Sequence, residues 1–123
     1  MKTILLADDD EDVRNVMRMR LQNLPYVLLE VADGQAALAR AKSERPDLLI
    51  LDWSMPAMTG IEVMVALQQD PMTAQIPVIL ITGKDDHVDQ ARGIRLGAVG
   101  YLVKPFSPQE LLQKVQAALG EQR

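Results

Sequence analysis

Asp47-Leu-Leu-Ile-Leu-Asp-Trp-Ser-Met-Pro-Ala-Met-Thr-Gly60 is the stretch on which the reading of the whole chain turns. An acid is followed by four consecutive aliphatic residues, Leu48 to Leu51, the pattern of a strand buried on both faces in the middle of a parallel sheet. Asp52 stands where that apolar run stops. Ser54, Pro56, Thr59 and Gly60 are loop chemistry, and Thr59-Gly60-Ile61-Glu62 opens a helix with a capping-box pattern. Asp52 is therefore placed at the carboxyl end of a buried strand, before a βα loop. In open α/β sheets that edge is where ligands bind.

Outward from this stretch the same alternation repeats. Thr3 to Ala7 reads as a first strand, and a helix follows with Val13, Val16, Met17, Leu21 and Leu24 at helical spacing. Asp10 or Asp12 can cap that helix and Pro25 ends it. Val27 to Ala32 gives a second strand. Asp33-Gly34 then opens an Ala-rich helix with Ala37, Leu38 and Ala41 on one face, closed by Pro46. Asp47 to Leu51 is strand three, and the helix after it carries Ile61, Met64, Val65 and Leu67 up to Asp70-Pro71.

Pro77 to Ile81 forms strand four, ending at Thr82. A fourth helix is expected between about Asp86 and Leu96, with a thin apolar face interrupted by Gly93. Val99 to Val103 is strand five and leads into Lys104-Pro105. Ser107-Pro108-Gln109-Glu110 joins an N-cap, a proline in the first turn and a capping-box acid. Leu111, Leu112, Val115, Ala118 and Leu119 make the stripe of this last helix, and Gly120 can stop it. Five strands alternating with five helices through short loops specify an α/β, doubly wound five-stranded parallel sheet with helices on both faces. With no repeat or linker, residues 1–123 read as one domain, long enough to bury its own core.

The composition narrows the function. The absence of cysteine excludes disulfides, thiolate nucleophiles and Cys-ligated metals. No apolar run is of membrane-spanning length, and the first residues are too short a run for a signal peptide before Asp8 ends it. A soluble, cytoplasmic protein with no membrane partner is expected. The net charge is −4, yet Asp8-Asp9-Asp10-Glu11-Asp12 holds five of the 17 acids; the remaining 12 face 13 bases, a balance of +1. The acidity is local, which points to a cation-binding spot. No basic stripe is visible, so direct nucleic-acid binding is not expected.

The strand ends carry the chemistry. Strand one delivers Asp8 and Asp9, strand three Asp52, strand four Thr82 and strand five Lys104. Three carboxylates in one crevice repel one another, and desolvation adds to the cost of ionising them. Either protonation or a hard cation with oxygen ligands relieves this, and Mg²⁺ fits because it takes one or two carboxylates and leaves room for a phosphate oxygen. Lys104 can pair with Asp52 or with a phosphoryl group, and the Thr82 hydroxyl can donate to a phosphate oxygen. The set makes a phosphoryl-transfer site with Asp52 as nucleophile. Taken singly, Asp52 reads as a loop cap, Lys104 as a surface lysine, Thr82 as a turn former, and acids at a helix start as dipole partners. Their joint placement at one edge favours the site.

At these residues the chain resembles the receiver domain of two-component response regulators, of the chemotaxis-response-regulator type. ILLADDDED resembles that family's first strand and acidic pair, LILDWSMPAMTG its phosphorylation segment, VILITG its switch-threonine strand, and YLVKPF its lysine-proline turn. The resemblance implies a flavodoxin-like (βα)5 fold with strand order 2-1-3-4-5. It makes Asp52 the phospho-acceptor, with Asp8, Asp9, Asp52 and the Ser54 backbone carbonyl around Mg²⁺. Thr82 matches the switch hydroxyl, Tyr101 the aromatic that changes rotamer, and Lys104 the phosphate-binding lysine, before a cis Lys104-Pro105 bond. Gly83 stands where Ala is frequent, and Ser54 and Lys84 lie where the family tunes phosphoryl lifetime.

The implied function is a phosphorylation-dependent switch rather than a dedicated enzyme. A partner histidine kinase or histidine phosphotransfer protein would supply the phosphoryl group, since His87 is the only histidine and reads as a solvent-facing residue at a helix start. The response would be a change in the surface of helix four, strand five and helix five, felt by a downstream protein or output domain, with a phosphorylation-dependent homodimer open. The chain is expected to be either a stand-alone regulator or the receiver of a longer one. Two other classes compete: a constitutive interaction module with a vestigial pocket, and a phosphatase passing through an aspartyl phosphate. The phosphatase usually needs a second acid just past the nucleophile, where Ser54 stands. Tyr101 can instead be a packing aromatic, Trp53 either lines the mouth of the site or packs, and the seven Met residues read as core filler.

Overall fold

A computed structural model describes residues 1–121; the expected end of the domain at residue 123 lies outside them. The elements alternate as the apolar periodicity predicts: β1 (Lys2–Ala7), α1 (Glu11–Leu21), β2 (Tyr26–Val31), α2 (Gly34–Glu44), β3 (Leu48–Asp52), α3 (Gly60–Gln69), β4 (Val78–Thr82), α4 (His87–Arg95), β5 (Gly100–Val103) and α5 (Pro108–Ala118). All strand pairs are parallel, in the order β2-β1-β3-β4-β5. This is the flavodoxin-like doubly wound sheet. The order reverses between β1 and β3, so their carboxyl ends flank the crevice at the switch point.

Alternation along the strands divides the core into two layers. Leu5 and Ala7 of β1, with Leu49 and Leu51 of β3, pack against Ala37, Ala41, Val63, Met64 and Leu67 of α2 and α3. Ile4, Leu6, Leu48 and Ile50 face the other way, onto Met17 and Leu21 of α1 and Leu111 and Val115 of α5. All five residues of β3 are buried, which is why Leu48 to Leu51 read as an unbroken apolar run that ends at Asp52.

The helix ends follow their local chemistry, with some corrections. Asp10, not Asp12, caps α1: its carboxylate accepts from the Asp12 amide at 2.9 Å. That helix ends at Leu21, before the expected Pro25. Thr59 and Ser107 both form complete capping boxes, with Glu62 and Glu110. Gly93 does not interrupt α4. It lies inside the helix, where an added Cβ would run into Leu80 Cδ1, so the thin apolar face reflects close approach to β4. Val65 and Val16 are expected core positions that are instead exposed, at 40% and 41%. The methionines are likewise only partly core: Met17, Met55 and Met64 are buried, whereas Met1, Met19 and Met72 are exposed.

Among the described residues no helix is long and apolar enough to cross a membrane.

Candidate functional site

The carboxyl edge of the sheet opens into a cleft of about 390 Å³ lined by Asp9, Asp52, Ser54, Thr82, Asp86 and Lys104, among others. Asp52 and Thr82 stand at the carboxyl ends of their strands, as the last residues of β3 and β4, where Asp52 pairs with Ile81 and Thr82 with Val103. Each is held by a parallel ladder, so its side chain has a fixed origin. Asp8 follows β1 directly and is fully buried. Its Oδ1 accepts from the Asp10 amide at 2.9 Å, and its carbonyl accepts from Arg14 Nη1 at 2.6 Å. Asp9 is exposed at the rim.

One carboxylate oxygen from each of Asp8, Asp9 and Asp52 lies within 4.8 Å of the others. Lys104, carried in after β5, places Nζ 3.2 Å from Asp8 Oδ2 and 3.5 Å from Asp52 Oδ2. The Ser54 amide donates to Asp52 Oδ1 at 3.3 Å, bringing the β3–α3 loop backbone onto the same carboxylate. Burial pushes the Asp52 carboxyl up to about 7, the Asp8 charge adds to this, and Lys104 and the Ser54 amide oppose it. Burial lowers the Lys104 ammonium's pKa, but Asp52 and then Asp8 more than offset that, so the net shift is upward. The ammonium stays charged between two acids.

The donor set also fits a hard divalent cation. Among the described residues, buried Asp8 Oδ2 has the Lys104 ammonium at 3.2 Å but accepts no well-directed hydrogen bond, three carboxylates converge on one point, and all the ligand atoms are oxygen. A single lysine on one side leaves that charge incompletely matched.

The other expected residues fall as follows. Thr82 is 2% exposed, and its Oγ1 accepts from Gln90 Nε2 at 3.1 Å, a residue that sequence reading did not single out. Asp86 was likewise missed as part of the cleft. Its carboxylate does not cap α4 but accepts from the Gly83 amide at 3.0 Å, closing the β4–α4 loop. Tyr101 is not among the residues lining the cleft; it is 37% exposed, with Lys114 Nζ 5.9 Å above its ring. Trp53 does both things weighed for it: it is 8% exposed within the core layer under α2 and α3, and it forms part of the cleft wall. His87 is exposed at the first position of α4. The Lys104–Pro105 bond is cis.

Comparison with known proteins gives the family of this fold. A model of the response regulator receiver domain matches residues 4–116. The chain is 38% identical over 118 residues to the phosphate regulon transcriptional regulatory protein PhoB of Pseudomonas aeruginosa, covering 96% of this chain and 52% of that protein. It spans about half the length of the curated relatives it matches. The chemotaxis response regulator CheY4 of Vibrio cholerae superposes with a TM-score of 0.89 at 35% identity, over 97% of this chain and 99% of that one. The receiver domain of the sensor histidine kinase PA1611 of Pseudomonas aeruginosa, solved with a magnesium ion coordinated in its active site cleft, gives 0.87 at 28% identity over 97% and 98%. The chain belongs to the response regulator receiver domain family. Receiver domains are signalling modules of two-component systems, not dedicated enzymes.

Proposed function

We propose that residues 1–123 form a receiver domain that takes a phosphoryl group from a partner onto Asp52 and signals by changing shape. The observation that carries this is the convergence of Asp8, Asp9, Asp52 and Lys104 on one cleft at the switch point of the sheet. The donor is a histidine kinase or histidine phosphotransfer protein. An Asp52 oxygen attacks the phosphorus of its phosphohistidine; the P–N bond breaks, the imidazole leaves with the electron pair, and an acyl phosphate remains on Asp52.

Asp8, Asp9, Asp52 and the Ser54 backbone carbonyl would hold Mg²⁺, which when bound supplies positive charge to the phosphoryl oxygens. The magnesium ion in the cleft of the similar PA1611 receiver supports this choice of cation. Lys104 already faces the Asp52 carboxylate and supplies a point charge to the phosphoryl group. Thr82 donates its hydroxyl proton to a phosphoryl oxygen. Tyr101, outward in this structure, turns into the space Thr82 leaves, altering the face made by α4, β5 and α5.

That face is the one offered to a downstream protein or output domain, and through it phosphorylation would drive a homodimer. The transcriptional role in the name of PhoB favours a transcriptional output in a longer protein. The domain itself is proposed to work in the cytoplasm, touching neither nucleic acid nor membrane. The test uses Trp53, the sole tryptophan, as reporter in the cleft wall. Beryllofluoride with Mg²⁺ changes wild-type fluorescence and leaves Asp52→Asn unchanged. Equal responses in the two proteins, or no wild-type response, reject the proposal.

A further inference from the structure

Gln90 is a polar side chain, 8% exposed, on the buried side of α4. Its Nε2 donates to Thr82 Oγ1 over 3.1 Å, a bond buried at both ends. One helical turn on, Gly93 meets Leu80. Residues three apart share a helix face, and residues two apart share a strand face. The pairs Gln90–Thr82 and Gly93–Leu80 therefore seat α4 on β4 in a single register. Among the described residues Gln90 is the one hydrogen-bond partner of the Thr82 side chain, and Thr82 the one partner of the Gln90 side-chain amide.

We propose that Gln90 is a positioning residue that latches the Thr82 hydroxyl to α4 and holds the domain back from the state in which that hydroxyl faces a phosphoryl group on Asp52. This rests on the roles given above to Asp52 and Thr82. When the hydroxyl turns into the cleft, its oxygen leaves the Gln90 amide, and a carboxamide enclosed by protein loses its partner. The resting state keeps that bond; the activated state forgoes it. The same bond couples the two events, because α4 is released from Thr82 only as Thr82 turns. A methionine at this position has similar length and no donor, so Gln90→Met removes the penalty without opening a cavity.

The experiment is a Mg²⁺–beryllofluoride titration of wild type, Gln90→Met, Thr82→Val and the double variant, read by Trp53 fluorescence. In parallel, the Gln90 side-chain amide resonances of ¹⁵N-labelled protein are followed without any ligand. Expected are a midpoint lowered about three- to tenfold by Gln90→Met, the range of one neutral hydrogen bond, and no further effect of that change in the Thr82→Val background. Thr82→Val should also move the Gln90 amide resonances in the free protein. A midpoint that is unchanged or raised overturns the latch, as does an equal shift with valine at 82. Gln90→Leu, also without a donor, serves if the methionine variant does not fold. Wild type responding while Gln90→Met matches it removes the latch alone; no wild-type response removes the phosphorylation reading, and the latch with it.

Discussion

Lys104 Nζ lies 3.5 Å from Asp52 Oδ2, joining two residues 52 positions apart, one at the end of β3 and the other just after β5. The lysine is still about a third exposed, so the pair is partly screened by water, and Asp8 competes for the same ammonium. Its significance is positional: a cation stands where the proposed site needs charge, before any ligand binds.

Replacing that cation should separate two effects. Lys104→Met leaves Asp8 and Asp52 facing each other without a counter-charge, so metal-free protein should melt several degrees lower at pH 8. The same change removes a competitor for the carboxylates, so Mg²⁺ should bind several-fold more tightly. Calorimetric titration with Mg²⁺ and thermal melts check both. Weaker Mg²⁺ binding in the variant would contradict the shared-carboxylate geometry.

The pH dependence follows from Asp52, whose carboxyl is raised from 3.8 to about 7, first by burial and then by Asp8. Between those values the folded protein keeps a proton that the unfolded chain releases, so stability falls as pH rises through that window. With the partial solvent screening of the cleft, the loss is about 1–2 kcal/mol. Asp52→Asn should flatten this slope and melt above wild type at pH 8, and saturating Mg²⁺ should do the same for wild type. Melts of metal-free wild type and Asp52→Asn between pH 4 and 8 measure it; identical slopes in the two proteins would show that Asp52 does not hold a proton in the fold.

The loop after Asp52 depends on a contact from another element. Gly34, first residue of α2, lies where an added Cβ would strike the Met58 carbonyl, backbone that cannot swing aside as a side chain can. Gly34→Ala should therefore destabilise by about 1–3 kcal/mol and weaken Mg²⁺ binding by displacing the loop that carries Ser54. Gly120→Ala is the control: Gly120 has φ +70° but open space around it, so its cost is local strain and Mg²⁺ binding stays unchanged.

Much of this was legible because β3 and β4 are short, wholly buried strands that end in a polar residue. An unbroken apolar run stopped by Asp52, or by Thr82, marks both a strand and its chemistry. Gln90 was not legible. Its importance arises from how α4 sits on β4, and a glutamine in a charged helix looks solvated until Gly93 is seen against Leu80. Val16 and Val65 fail for a related reason: helical spacing gives a face, but the width of the face that neighbours cover is set by packing. Asp86 was missed because an acid at a helix start reads as a dipole partner, whereas here it binds the loop behind it.

Locating the phosphoryl group itself decides whether Asp52 is the acceptor. Protein incubated with acetyl phosphate and Mg²⁺ is trapped at low temperature and read by intact mass and peptide mapping. One phosphoryl group per chain is expected, lost on treatment with hydroxylamine, on the peptide carrying Asp52, and none in Asp52→Asn or without Mg²⁺. A stable modification on any other residue, or equal incorporation in Asp52→Asn, would contradict Asp52 as the acceptor.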